Sequence, residues 1–258
     1  MYRFFINEEQ HNENEIRITG EDVNHIKNVL RLKEGDRIVL CNGRNRDYIS
    51  EISDEGSKSE ILCRVVETKN SATELPIKMV LYQGLPKKDK MELIIQKCVE
   101  LGVSEIVPVI MKRCIVKLED DKAEAKKNAR WSEISRAAAK QCGRGRIPVI
   151  GKALSFKEAL KKALDEDPGH LLVPYENEEG IASIREFIKE LKNSIKKDPD
   201  NSPTVSIFIG PEGGFEESEI EGALNAGAHT VSLGQRILRT ETAGFTTAAI
   251  LMYETETH

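Results

Sequence analysis

The 258 residues are 39% hydrophobic and 31% charged with a net charge of −5, enough apolar material for one large core or two smaller ones. No apolar run approaches the roughly 20 residues of a membrane span, and the opening MYRFFINEEQ lacks the apolar centre of a secretion signal, so the chain is expected in the cytoplasm. Five scattered cysteines without a CxxC pair point to reduced thiols; five histidines without HExxH or finger-like spacing argue against a metal site.

In chain order, EIRIT, DRIVLCNG, DYISEIS and EILCRVVE alternate apolar and polar residues with turn residues between them. That period of two predicts a small antiparallel sheet or barrel over residues 1–70. One helix interrupts it, GEDVNHIKNVLRL, with Val23, Ile26, Val29 and Leu30 on one face and Asn24, His25, Asn28 and Arg31 mostly on the other. The polar stretch from Thr68 to Pro76 reads as a linker. Beyond it the pattern changes. IKMVLYQG precedes a helix with Asp89 and Glu92 in capping-box spacing, ending at Gly102. EIVPVI, a long helix from about residue 121 to 141, and PVIG follow, then a helix opened by Ser155 and Glu158, again a capping box. HLLVPYE, a helix over about 181–196, TVSIFIG, a helix from Glu216, TVSLG and a last helix from Thr240 complete the series. Strands alternating with helices predict an α/β domain over 75–258 with a mostly parallel sheet covered on both faces.

Charge is unevenly spread. Residues 1–70 hold 11 basic and 14 acidic side chains, residues 71–150 hold 16 and 10, and residues 151–258 hold 11 and 19. A cationic middle in an acidic chain suits a phosphate-binding face, and equally suits lysines that solvate helices.

The segment IFIGPEGGFEESEIEGAL, from Ile207 to Leu224, is a strand, a glycine turn and a helix start. Ligands of parallel sheets sit beyond the carboxyl ends of the strands. Neither GxGxxG nor GxxxxGK[ST] occurs at any such end, and Glu212 stands where an anion would be repelled. The acids Glu216, Glu217 and Glu219 suit the first turn of a helix, where the dipole stabilises each by roughly 0.3–1 kcal/mol. A phosphate-free, neutral or cationic ligand held by close backbone approach fits the loop, and S-adenosylmethionine, an adenosine bearing a sulfonium, meets that description.

GPEGGF at 210–215 with LGQRILRTETA at 233–243 resembles the paired cofactor loops of the RsmE family, SPOUT-class methyltransferases of 16S ribosomal RNA. RFF at 3–5, HIKNVLRLKEGD at 25–36, KKDKMELIIQKCVELGV at 87–103 and RWSEISRAAAKQCGR at 130–144 are similar to its other signatures, in the same order. The resemblance implies a PUA-like N-terminal RNA-binding barrel, a C-terminal domain with a deep trefoil knot (an exception to the rule against threaded connections), a homodimer, and 3-methyluridine as product in the decoding region of the small ribosomal subunit.

It also implies roles. Leu172, Val173, Pro174, Gly210, Glu212, Gly213, Leu233, Gly234, Ile237, Leu238 and Arg239 would hold the cofactor. Arg3, His25, Asn28, Arg31, Lys87, Lys88 and Arg144 would meet RNA, with Lys90 beside them as a phosphate contact. Uridine N3 carries a proton, so the enzyme must remove it or stabilise the charge on the uracil oxygens. Arg239 and Arg144 are candidates to pair with a uracil oxygen or phosphate, and Glu241 is a candidate base. Thr240 and Thr242 read as helix caps. Two rivals stand beside this reading: an enzyme for a phosphate-bearing nucleotide, which the missing loop motifs oppose, and a non-catalytic RNA-binding protein. A methyltransferase with another target base is a third.

Overall fold

The computed structural model describes residues 1–12, 14–54, 59–116, 120–175, 182–198 and 201–256. They form two compact units, one made of residues 1–74 together with 139–147, the other of the remaining chain.

The first unit contains β1 (Arg3–Phe5), β2 (His11–Asn12), β3 (Glu15–Thr19), α1 (Glu21–Asn24), β4 (Arg37–Cys41), β5 (Arg46–Asp54) and β6 (Glu60–Asn70). They make a six-stranded sheet in the order β1-β4-β5-β6-β3-β2, antiparallel except for the β1–β4 pair. The predicted alternation holds: Ile16 and Ile18 of β3 and Ile38 and Leu40 of β4 point into one core with Phe4, Ile52 and Ile61. The interrupting helix differs from expectation. After α1 the chain winds as a π-turn over His25–Val29, closed by Leu30 N–H to His25 O at 2.9 Å. The wider turn rotates the residues that follow away from α-helical positions. Val23 and Ile26 stay buried, whereas Val29 is 64% exposed.

The stretch after residue 68 is not a free linker. β6 runs through Asn70, Ser71 N–H donates to Asn45 O at 3.1 Å, and Thr73 Oγ1 donates to Gly143 O at 3.1 Å. Glu74 then accepts from Arg144 at 2.7 Å and from the backbone N–H groups of Gly145 and Arg146 at 3.0 and 3.1 Å. Polar side chains suggested a solvated tether; their partners lie 70 residues on.

The second unit contains β7 (Lys78–Gly84), α2 (Lys90–Glu100), β8 (Glu105–Ile110), most of α3 (Asp121–Cys142), β9 (Val149–Ile150), β10 (Leu154–Ser155), α4 (Phe156–Glu166), β11 (Leu171–Pro174), α5 (Ala182–Lys197), β12 (Thr204–Ile209), α6 (Glu217–Asn225), β13 (His229–Val231) and α7 (Thr240–Thr255). Its sheet is parallel throughout, in the order β10-β8-β7-β12-β11-β13, with β9 pairing β8. β7 and β12 are buried over nearly their whole length, as strands covered on both faces must be. Only one of the two expected capping boxes forms. Ser155 Oγ accepts from Glu158 N–H at 3.3 Å and Glu158 accepts from Ser155 N–H at 2.9 Å. Asp89 makes no side-chain cap, because its backbone (ψ 10°) is not extended and the preceding Lys88 sits at φ 55°; Glu92 pairs instead with Arg130 at 2.7 Å.

Candidate active site

β11, β12 and β13 end together, and the segments that leave them line an open cavity of about 1010 Å³. Pro174 ends β11 and Tyr175 follows it, Ile209 ends β12 and Gly210 to Phe215 follow it, and Ser232 to Thr240 follow β13; Lys90, Arg113, Glu217 and Ala243 complete the lining. The position agrees with the general rule for parallel sheets.

Two glycines are needed for close approach. A Cβ on Gly84, at the end of β7, would lie 2.6 Å from Pro211 N, so the glycine loop rests directly on the neighbouring strand. A Cβ on Gly213 would lie 3.0 Å from Arg113 Cβ and 3.3 Å from Arg113 O. The loop is fastened from below by an uninterrupted chain of hydrogen bonds. Gln83 Nε2 donates to Thr240 Oγ1 at 2.8 Å, and Thr240 Oγ1 donates to Gly210 O at 2.6 Å. Thr240 is therefore not a cap: Arg239 holds the cap position of α7, and the threonine joins the last helix to the loop.

The acids of the loop do more than complement a dipole. Glu219 is 5% exposed; its carboxylate accepts from Lys112 N–H at 2.9 Å and Glu216 N–H at 2.8 Å, tying the β8 exit to the start of α6. Arg113 Nε meets Glu216 at 3.1 Å and its guanidinium donates to Gly213 O at 3.2 Å. Glu212 accepts from Lys87 N–H at 3.0 Å and from Lys90 Nζ at 3.1 Å. Burial raises its pKa, yet the Lys87 N–H, its own backbone and Lys90 outweigh burial and hold it below the ordinary carboxylate value. Lys90 also lies 3.3 Å from Glu241, whose Oε2 is buried without an aligned hydrogen bond.

The expectation of an acidic pocket needs correction here. The lining carries Lys90, Arg113, Arg236 and Arg239 against Glu212 and Glu217. Glu212 is already neutralised by a lysine, and among the described residues Arg236 and Arg239 make no ion pair. The glycine turn itself carries no phosphate motif.

Of the eleven residues expected at a cofactor, nine line this cavity: Pro174, Gly210, Glu212, Gly213, Leu233, Gly234, Ile237, Leu238 and Arg239. Leu172 and Val173 do not; both are fully buried in β11, between β12 and β13. Sequence reasoning missed Gln83, Arg113 and Arg236. Gln83 and Arg236 lie in IKMVLYQG and LGQRILRTETA without a signal that singles them out, and Arg113 is brought in from beyond the end of β8.

The residues expected at RNA belong to both units. Lys87 and Lys88 are exposed ahead of α2. In the first unit Asn28 and Arg31 are exposed, Arg31 at φ 54°, and the half-buried His25 ring packs edge-on to Phe4. Arg3 is engaged bidentately by Asp47 at 2.7 and 2.8 Å. Arg144 is 3% exposed and paired with Glu74 within the first unit; it is not part of the cavity lining.

Comparison with known proteins gives the site a context. A family model described as the RNA methyltransferase domain matches residues 73–252, and one described as the RNA methyltransferase PUA domain matches residues 18–66. Ribosomal RNA small subunit methyltransferase E of Bacillus subtilis is 39% identical over 239 residues, covering 93% of this chain and 90% of that protein. The protein of the same name from Mesomycoplasma hyopneumoniae is 37% identical, covering 94% and 95%. Among solved structures, a ribosomal RNA small subunit methyltransferase E from Neisseria gonorrhoeae bound to S-adenosyl methionine superposes with a TM-score of 0.78 at 31% identity, over 98% of this chain and 97% of that one. A methyltransferase from Legionella pneumophila in complex with the same cofactor gives 0.75 at 30%, over 97% and 96%. With a PUA-type sheet unit, a parallel-sheet unit and relatives alike over nearly their full length, this chain belongs to the RsmE family of SPOUT-class RNA methyltransferases.

Proposed function

We propose that this protein methylates N3 of a uridine in the decoding region of 16S ribosomal RNA, using S-adenosylmethionine, on the assembled small subunit. The observation that carries the reading is the convergence of nine expected cofactor residues on one cavity at the ends of β11, β12 and β13. The cavity suits the donor: its volume holds a nucleoside with an amino-acid tail, its glycine turns allow close backbone approach, and its lining offers both carboxylate and guanidinium to a ligand that carries a sulfonium and a zwitterionic amino-acid tail. When bound, the donor supplies an electrophilic methyl group on sulfur.

The protein's own task is then to position uridine and to stabilise negative charge on its carbonyl oxygens. Arg239 takes this role in our reading. It heads α7, lines the cavity and has no ion pair among the described residues, so its planar fork is available to a uracil oxygen or an adjoining phosphate. Arg144 and Glu241 are held by Glu74 and Lys90, and enter as groups that position their neighbours. In this reading Asn28, Arg31 and His25 of the first unit and Lys87 and Lys88 of the second each contact RNA, so binding should weaken steeply with salt.

A homodimer belongs to this reading. Its support is α7, on which Phe245, Ile250 and Met252 are half-exposed and Tyr253 is 69% exposed. The trefoil knot belongs to it as well, supported by the anchoring of the start of α7 to the glycine loop through Thr240. A ribosomal substrate would place the protein in the cytoplasm.

The test is to incubate the protein with labelled donor and unmodified small subunits and to map the modified base, with Arg239→Ala alongside. The expected result is 3-methyluridine at one position, a rate lowered about 100-fold or more in the variant, and much weaker labelling of a naked hairpin. Labelling at another base, or equal labelling of hairpin and subunit, would count against it.

A further inference from the structure

We propose that Lys90 is a catalytic residue whose ammonium donates to a uracil carbonyl and holds the negative charge that appears there when N3 gives up its proton to solvent. This rests on the uridine-N3 reading above.

Three features of the geometry support this role. An ammonium has three donors. One is directed at Glu212 at 3.1 Å, while Glu241 at 3.3 Å pairs by charge without an aligned hydrogen bond, and among the described residues these are its only ion-pair partners. Lys90 itself lines the cavity, which leaves a donor for an occupant. Secondly, Glu241 is not part of the lining whereas Lys90 is, so a base entering at this end meets the ammonium first. Thirdly, the two carboxylates come from the two segments that build the site, the glycine loop and the first turn of α7. Both therefore fix the position of the charge before substrate arrives, the condition under which a charge is effective in catalysis. The same pair keeps the lysine protonated: its pKa is raised, foremost by the hydrogen bond to Glu212.

The chemistry follows from uridine. Loss of the N3 proton to water leaves an electron pair that spreads over the adjacent carbonyl oxygens. A cation in contact with one of them lowers the pKa of such an acid by about 1–3. The pair on N3 then forms the bond to the methyl carbon as the carbon–sulfur bond breaks, with sulfur keeping its electrons. Glu212 and Glu241 are positioning residues for Lys90 and take no proton.

The experiment compares wild type, Lys90→Gln and Lys90→Arg in three measurements: donor affinity by calorimetry, single-turnover methylation of small subunits as a function of pH, and the same on subunits containing 5-fluorouridine, whose N3–H is more acidic. Lys90→Gln should bind the donor within about threefold of wild type. Its neutral-pH rate should fall about 10- to 100-fold because the rising limb of the pH profile moves upward. The fluorinated substrate should recover most of the loss. Lys90→Arg, which keeps the charge between the carboxylates, should keep the limb where wild type has it. A limb that stays put in a folded Lys90→Gln, a rate loss matched by an equal loss of donor affinity, or no relief by 5-fluorouridine would each overturn the proposal. Should Lys90→Gln not fold, a displaced limb in Lys90→Arg overturns it and an unmoved one upholds it. If wild type modifies no uridine at N3, the functional reading fails instead, and the base mapping reports that separately.

Discussion

A methyl group placed on Gly84 would strike the backbone nitrogen of Pro211 at 2.6 Å and its Cδ at 2.7 Å. Neither atom belongs to a flexible side-chain end, so the glycine loop would have to move. Gly84→Ala is expected to cost about 2–3 kcal/mol, as overpacking of a rigid contact does, and to weaken donor binding together with stability. Urea unfolding and calorimetry on the variant check both; unchanged donor affinity would show that the loop does not depend on this contact. The loop itself was legible in the sequence, because the absence of a phosphate motif can be read without coordinates. Its electrostatics were not. Glu212 is flagged by its place between Pro211 and Gly213, but the lysine that neutralises it lies more than 100 residues earlier, and spacing cannot disclose a partner so remote. Gln83 escaped for the same reason: on paper it is a polar residue closing an apolar strand, and only the fold brings it to Thr240.

Among the helices, α2 and α4 share one sequence signature and differ in outcome. Ser155 caps α4 reciprocally with Glu158, whereas Asp89 caps nothing in α2. Ser155→Ala should therefore cost about 1 kcal/mol, and Asp89→Ala only a few tenths, measured as paired unfolding free energies; equal costs would refute the distinction. The periodic helices and strands were readable because burial imposes their spacing. The cap at Asp89 and the turn at His25–Val29 were not, since each depends on a backbone dihedral or a hydrogen-bond shift of one residue that composition leaves open. α7 illustrates the opposite case. Its apolar surface is visible in the sequence, but its attachment to the loop through Thr240 becomes visible only when Gly210 is brought alongside.

At the level of the whole chain, the change from period two to alternating strands and helices marked the two architectures correctly, and family resemblance added what periodicity lacks. What a linear reading could not supply is that residues 139–147 pack with the first unit. That return is fixed by contacts of long sequence separation: Cys41 Sγ with Gly145 O at 3.2 Å, Asn45 N–H to Gly145 O at 2.8 Å, Lys140 with Asp22 at 2.6 Å, and the Glu74 cluster around Arg144. Arg144 is nearly inaccessible to solvent, so Glu74→Ala should destabilise the protein by about 3 kcal/mol, the penalty for stripping a buried charge of a carboxylate. Thermal unfolding at neutral pH measures it.

The chain thus crosses between its two units three times, after Glu74, after Ala138 and after Ile147. Anyone dissecting the protein for RNA work would cut near residue 74 and obtain a piece lacking nine of its own residues, with Glu74 and the Cys41 thiol deprived of their neighbours. Such a fragment should behave as a loosened sheet, and grafting 139–147 back through a short tether should restore it.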